Sequence, residues 1–323
     1  MATQASLRPA LAHLRKPRGW ASCLRGSSLR AAPLVLGGAL VCRSVDGSPV
    51  RDAPQRIVAL DDAGDTVHLA GPARRVVSLD PTTTELLFAI GAGAALAGRT
   101  DACDFPAAAA AVPSVGGGIP PNVEAVAARG PDLVLLYHGG ANAGPAARLR
   151  GLGIPVARLR TDRLGDVPRL ARLLGDFTGS RQGADSVARA YLAELNRERA
   201  AARAGSTAPV PVLILAWEQP LIALGAGSFV SEAAELAGAR NIFADVSAPA
   251  APVALEAVVN RNPRAVLTMG ASGAAISLRP EWRAVAAVRH GRVFRLDHSA
   301  YNHVGPRMPA AIRALRRRLA AIP

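Results

Sequence analysis

Lysine is nearly missing from this chain: Lys16 is the only one, and every other basic residue among the 38 Lys and Arg is arginine. In a chain this rich in Ala, Gly and Pro, that bias reflects a GC-rich coding sequence, so the formal charge of +14 is weak evidence for a nucleic-acid partner. The first fifty residues hold seven of the basic groups and one acid, leaving +8 for the rest, scattered along the sequence rather than massed. Aromatics are scarce at 4%, which argues against a base-stacking surface. Three cysteines, Cys23, Cys42 and Cys103, cannot build a disulfide framework or a four-ligand zinc site. Catalytic signatures are missing too: there is no G-x-S-x-G, P-loop, H-E-x-x-H or C-x-x-C. Gly116-Gly117-Gly118 follows a Pro-Ser-Val turn rather than a strand, so it is a poor phosphate loop.

What is present begins with a leader. Met1 to Arg30 is basic without an acid, and Ala31 to Cys42 is an uncharged apolar run of twelve. A membrane span needs about twenty such residues, so the pattern is that of a secretory signal, with residues 1–48 as leader and linker. Ser44 or Gly47 offers ordinary cleavage; Cys42 offers lipid attachment instead, although Val41 stands where a small residue is expected. After leader removal Cys103 is left as a free buried thiol.

Arg181 to Ala204 has strong helix formers, no proline, Ser180 as an N-cap and Gly205 as a stop. Val187, Tyr191, Leu192 and Leu195 form one apolar stripe on a charged rod about 35 Å long. The chain repeats itself across this helix. Val123 to Leu135 (VEAVAARGPDLVL) and Leu255 to Leu267 (LEAVVNRNPRAVL) align without a gap, each a helix, an X-Pro turn and a buried strand. A looser echo precedes each: strand Val76 to Leu79 with helix Thr84 to Ile90, and strand Val212 to Ala216 with helix Ser231 to Leu236. Asp80 or Thr82 can cap the first of these helices, and Arg56 to Leu69 reads as a hairpin around Asp-Ala-Gly-Asp. The expected fold is α/β: two Rossmann-like lobes, 55–178 and 206–323, joined by a rigid backbone helix, 179–205.

The motifs RRVVSLDPTTTELLFAIGAG, TDACDFP, PSVGGGIPPNVEAVAARGPDLVLL, FVSEAAELAGARNIF and GRVFRLD...VGPRM occur in that order. From about Arg74 to the C-terminus this set resembles the periplasmic substrate-binding proteins of ABC importers for vitamin B12, iron-siderophore and haem. The resemblance implies the class III binding-protein fold, with ligand held in a cleft between the lobes. It also implies a monomeric carrier without catalysis, cofactor or nucleic-acid partner, delivering a metal chelate to an inner-membrane ABC permease and its ATPase. A corrinoid is the leading ligand; a ferric siderophore, haem, or a sensor role without transport are the alternatives.

In a two-lobed binder the loops at strand ends carry the ligand. Tyr137 and Trp217 can each offer an aromatic face to a flat macrocycle from one lobe, or pack in a core. Tyr137-His138-Gly139-Gly140 resembles a Trp-Arg-Gly-Gly segment of a vitamin B12 binder, and Trp217 matches a cleft aromatic there. Ala102, Gly116 to Ile119 and Ala250-Ala251 lack that binder's other aromatics, leaving a different pocket. Thr82 and Thr83 belong to the first strand-end loop. Tyr137, His138, Tyr301 and His303, with His298 a weaker candidate, supply side chains that can ligate haem iron or simply be solvated. Arg307 and Arg99 are the cations available to an anionic siderophore, though Arg307 can equally cap a helix. No resident metal site is expected. Glu124 and Glu256 sit at equivalent helix starts, where the helix dipole favours a carboxylate. In the family, acids at these positions face the transporter's arginines, one per lobe.

Overall fold

Side chains alternate across a strand, so a sheet covered on both faces shows two different cores along one sequence. That alternation organises both halves of the protein. The computed structural model describes residues 56–322 apart from Gly118, residues 206–207, residues 270–272 and Asp297. The leader and Cys42 lie outside the described residues.

The expected hairpin forms from β1 (Ile57–Leu60) and β2 (Thr66–Leu69), antiparallel. Asp61 Oδ1 closes its turn by accepting from the Ala63 and Asp65 amides, both at 2.9 Å. Strands β3 (Val76–Ser78), β4 (Leu96–Arg99), β5 (Leu133–Tyr137) and β6 (Val156–Leu159) make a wholly parallel sheet in the order β4-β3-β5-β6. Around it run α1 (Pro81–Ala89), α2 (Val123–Ala127), α3 (Ala143–Gly151) and α4 (Asp166–Thr178). Asp80 is the cap of α1, its Oδ1 accepting from the Thr83 amide; Thr82 is not.

After the long helix α5 (Arg181–Ala204) come β7 (Val210–Glu218), β8 (Leu221–Leu224), α6 (Phe229–Leu236), β9 (Ala239–Asn241) and β10 (Ala250–Pro252). Then follow α7 (Leu255–Arg261), β11 (Ala265–Thr268), α8 (Gly273–Leu278), α9 (Ala286–Arg289), β12 (Val293–Arg295), α10 (His298–Tyr301) and α11 (Met308–Ala320). The second sheet runs β10-β8-β7-β11-β12, with β9 also paired to β7. The internal repeat is structural: α2 leads to β5, which lies parallel beside β3, and α7 leads to β11, which lies parallel beside β7.

Helix α5 has the bounds read from the sequence, but two local details differ. Ser180 makes no side-chain capping bond. The buried stripe is Ala184, Ala188, Tyr191, Leu195 and Glu198, whereas Val187 and Leu192 are half-buried. Small residues win because α5 is pressed close to other backbone. A Cβ on Gly183 would stand 2.2 Å from the Ile90 carbonyl oxygen, and one on Gly175 of α4 would stand 2.4 Å from the Ala184 Cβ.

At its other end, buried Glu198 accepts from Arg313 Nε at 2.9 Å and Arg316 Nη1 at 2.6 Å, tying α5 to α11. Arg316 also donates to the carbonyls of Glu198 and Leu236. One apolar core therefore runs from Leu133 and Leu135 of β5 through Leu174, Ala188 and Leu195 to Val212, Ile214 and Leu315. The opposite faces of the two sheets close separate, smaller cores: Val77, Val134 and Leu136 in one half, Leu213, Leu215 and Val266 in the other. No helix among the described residues is long and apolar enough to cross a membrane.

Candidate ligand-binding cleft

In an open parallel sheet the loops leaving neighbouring strands diverge where the strand order reverses, and the crevice there admits a ligand. In the first sheet that point lies between β3 and β5, whose ends lead into Asp80 and His138. A cavity of about 310 Å³ opens nearby, walled by Tyr137, Thr161 and Asp162 from the first half. The second half contributes the β8–α6 turn at Leu224 and Gly227 to Phe229, and the loop at Pro249-Ala250. Asn302 and His303 complete the wall. The 137, 249 and 302 segments were expected there; the β6 exit and the β8–α6 turn were not. The β6 exit was hidden because Thr161 and Asp162 sit between Arg160 and Arg163 in what reads as an ordinary solvated turn, and the β8–α6 turn because Gly225 to Ser228 are small residues that let the backbones approach.

Tyr137 ends β5 half-buried, its hydroxyl donating to Asp162 Oδ1 at 2.8 Å. Burial and that carboxylate together push the phenol up to about 12, so it stays neutral at ordinary pH. His138, next to it, donates its amide to the Leu159 carbonyl, and its Nδ1 is buried with no hydrogen-bond partner among the described residues. Beneath the wall, Thr161 Oγ1 donates to Asp80 Oδ2 at 3.1 Å. Burial pushes the Asp80 carboxyl up, opposed by the Thr83 amide, the nearby His303 and the Thr161 hydroxyl.

The other expected contact residues divide sharply. Trp217, on β7, is 60% exposed, with Nε1 donating to the Gln219 carbonyl at 2.8 Å, and it stands outside the small cavity. Thr82 and Thr83 are fully buried; Thr83 Oγ1 bonds the Asp80 carbonyl and Ser78, while Thr82 Oγ1 has no partner among the described residues. Tyr301 is buried, its hydroxyl donating to the Ala311 carbonyl at 2.7 Å, so it braces the wall from behind. His298 opens α10. Cys103 is a buried free thiol, as read from the sequence, 3.2 Å from Thr100 Oγ1.

Sequence reasoning missed Glu85. It lies on α1 at 3% exposure and receives His303 Nε2 at 2.9 Å, Arg307 Nε at 3.0 Å and Arg307 Nη2 at 2.9 Å. Burial alone would raise its carboxyl, but the hydrogen bonds and charges of His303 and Arg307 outweigh it and hold Glu85 below the usual glutamate range. The Arg307 guanidinium also lies 3.7 Å above the Phe105 ring. Arg99, the other expected anion ligand, donates to the Ala109 and Thr100 carbonyls. Both arginines are thus committed to the protein's own groups.

Glu124 and Glu256 are each the second residue of their helices, and both are exposed. Glu124 accepts from Arg148 Nη2 at 2.9 Å, with both side chains largely in solvent. An exposed pair of this kind contributes at most about 1 kcal/mol. Stripping one partner from a buried pair costs about 3–5 kcal/mol. Glu124 therefore remains available to a stronger partner, and Glu85 does not.

The family model described as periplasmic binding protein matches residues 76–300. The vitamin B12-binding protein of Pectobacterium carotovorum subsp. carotovorum (strain PC1) is 28% identical over 249 residues, covering 77% of this chain and 89% of that protein. Among solved structures, the periplasmic vitamin B12 binding protein BtuF of Vibrio cholerae superposes with a TM-score of 0.68 at 27% identity, over 77% of this chain and 97% of that one. A periplasmic heme binding protein from Pseudomonas aeruginosa superposes at 0.70 with 26% identity, over 78% and 94%. A matching model across most of the chain, two α/β halves strapped by α5 and a cavity at their strand ends agree, and the chain belongs to the periplasmic binding protein family.

Proposed function

We propose that the protein captures a metal chelate, a corrinoid first, in the cleft between its lobes and hands it to an inner-membrane ABC permease and its ATPase. The observation that carries this reading is the position of the cavity at the strand ends of both halves, in a chain whose relatives include vitamin B12 binders. Residues 55–178 and 206–323 act as the lobes and 179–205 as the strap. Tyr137, His138 and Trp217 face the ligand: the first as a neutral phenol in the cavity wall, the last as an exposed indole on the other lobe. His303 borders the same space while bound to Glu85; Thr82, Thr83, Tyr301 and Arg307 support the wall. The binding step needs no chemistry, since a preformed cleft lowers the ordering cost of association.

Haem is the second reading, favoured by the likeness to the Pseudomonas aeruginosa protein and by His138 Nδ1, which is buried without a partner among the described residues. A siderophore held by Arg307 and Arg99 is the least supported, because both already serve internal acceptors. Glu124 and Glu256 present one carboxylate per lobe to the permease. The leader directs export, by cleavage or by anchoring through Cys42. Protein incubated with cyanocobalamin, hemin or ferrichrome and then desalted should keep the absorption bands of one of them, cyanocobalamin being expected; retention of none would defeat the chelate reading.

A further inference from the structure

The contact between Glu85 and the chain that follows α10 joins groups 218 and 222 residues apart, from opposite lobes. Among the described residues, the three hydrogen bonds reaching this carboxylate all come from the second lobe. Phe105, under the Arg307 guanidinium, belongs to the first lobe as well, so Arg307 is held by two groups across the divide. Between His303 and Arg307 the backbone passes so close that a Cβ on Gly305 would sit 3.0 Å from Glu85 Oε2. On its own side the same segment is flanked by Tyr301, whose hydroxyl is bonded to the Ala311 carbonyl of α11. The stretch 302–307 is thus gripped from both lobes, and its Asn302 and His303 form part of the cleft wall.

We infer that Glu85 is a positioning residue of the cleft: it latches the 302–307 wall of the second lobe to α1 of the first, and so sets the separation of the lobes that receives ligand. The inference rests on the cleft reading above. Its physical basis is the cost of the alternative. Parting the lobes at this place would strand a buried carboxylate without its cations, which a low-dielectric setting penalises heavily. Two other polar contacts that cross the cleft mouth among the described residues are longer: the Leu164 amide to Glu232 Oε2 at 3.2 Å and Arg163 Nη1 to the Ala226 carbonyl at 3.2 Å. Among these contacts the ones to Glu85 are the shortest and have the most deeply buried acceptor. The strap α5 limits movement on the side away from the cavity.

The test is a distance measurement made alongside binding. Spin labels are placed through Ala147→Cys on α3 and Asn260→Cys on α7, both exposed positions, in a chain carrying Cys23→Ser and Cys42→Ser; Cys103 is buried and left in place. The parent should give one narrow distance distribution. Glu85→Ala should broaden it and add a longer component, and should weaken binding of the retained probe, cyanocobalamin or hemin, by about tenfold or more. Gly305→Ala removes no charge and only crowds the carboxylate, so it should broaden the distribution less and carries the test should Glu85→Ala not fold. Saturating probe should narrow both variants again. Unchanged distances in folded variants would overturn the latch, and broadened distances with undiminished affinity would overturn its positioning role. Failure of the parent to retain either probe would sink the chelate reading instead, leaving the distances to decide the latch.

Discussion

Among single residues, exposure separates groups open to a ligand from groups buried in the frame. Trp217 offers a largely bare indole, so Trp217→Ala should weaken chelate binding with little loss of fold; unaltered affinity in calorimetry would remove it from the site. Glu85 makes the opposite prediction, one of stability. Its carboxyl is held below the ordinary glutamate value of 4.5, so its contribution is complete above that value and is lost as pH falls through the depressed folded one. Urea midpoints from pH 6 to pH 3 should therefore fall more steeply for the parent than for Glu85→Gln, and parallel curves would contradict this. His138 is not among the residues lining the cavity; Tyr137 is, and that position was legible because an aromatic closing an apolar strand stands out. Glu85 was not: a lone acid between Thr84 and Leu86 reads as the solvent side of a helix, and its partners lie more than two hundred residues away.

Secondary-structure elements were the most legible level, and the strap most of all. A run of 24 residues between Ser180 and Gly205, without proline and dominated by Ala, Leu, Glu and Arg, left little choice of boundary. What the pattern could not give was the facing of that helix. A rod with one acid in its buried stripe looks like a rod whose stripe has ended, yet Glu198 is inside because α11 brings two arginines to it. Glu198→Ala should cost about 3 kcal/mol in denaturant unfolding, at the lower end for a buried pair because both guanidinium groups keep some solvent. A change within 0.5 kcal/mol, the usual range for surface substitutions, would mean that apolar packing alone joins α5 to α11. Crowding at Gly183 tells the same story from the other end, since only a residue without a side chain lets the helix touch the Ile90 carbonyl.

At the scale of the whole molecule, the internal repeat carried the reading, because two copies of helix, X-Pro turn and strand imply two sheets of similar build. Both sheets exist, but the second is larger and mixed, with β8 and β10 antiparallel. Its β7–β8 hairpin was not foreseen, because a turn at Gln219-Pro220 lacks the Asn-Gly or Asp-Gly signal. The repeat also sets Glu124 and Glu256 at matching helix starts. Reversing both, Glu124→Arg with Glu256→Arg, should abolish uptake in cells while sparing chelate affinity; uptake at the parental rate would refute the docking proposal.

The unbroken apolar seam through α5 has a consequence for traffic at the membrane. A carrier that barely changes shape on loading presents nearly the same outline to its permease empty or full. On the proposed docking, vacant copies then queue at the same gate as cargo-bearing ones. Overproducing the carrier when the nutrient is scarce should throttle import rather than hasten it, and the cell gains most from keeping its copy number near the supply of cargo.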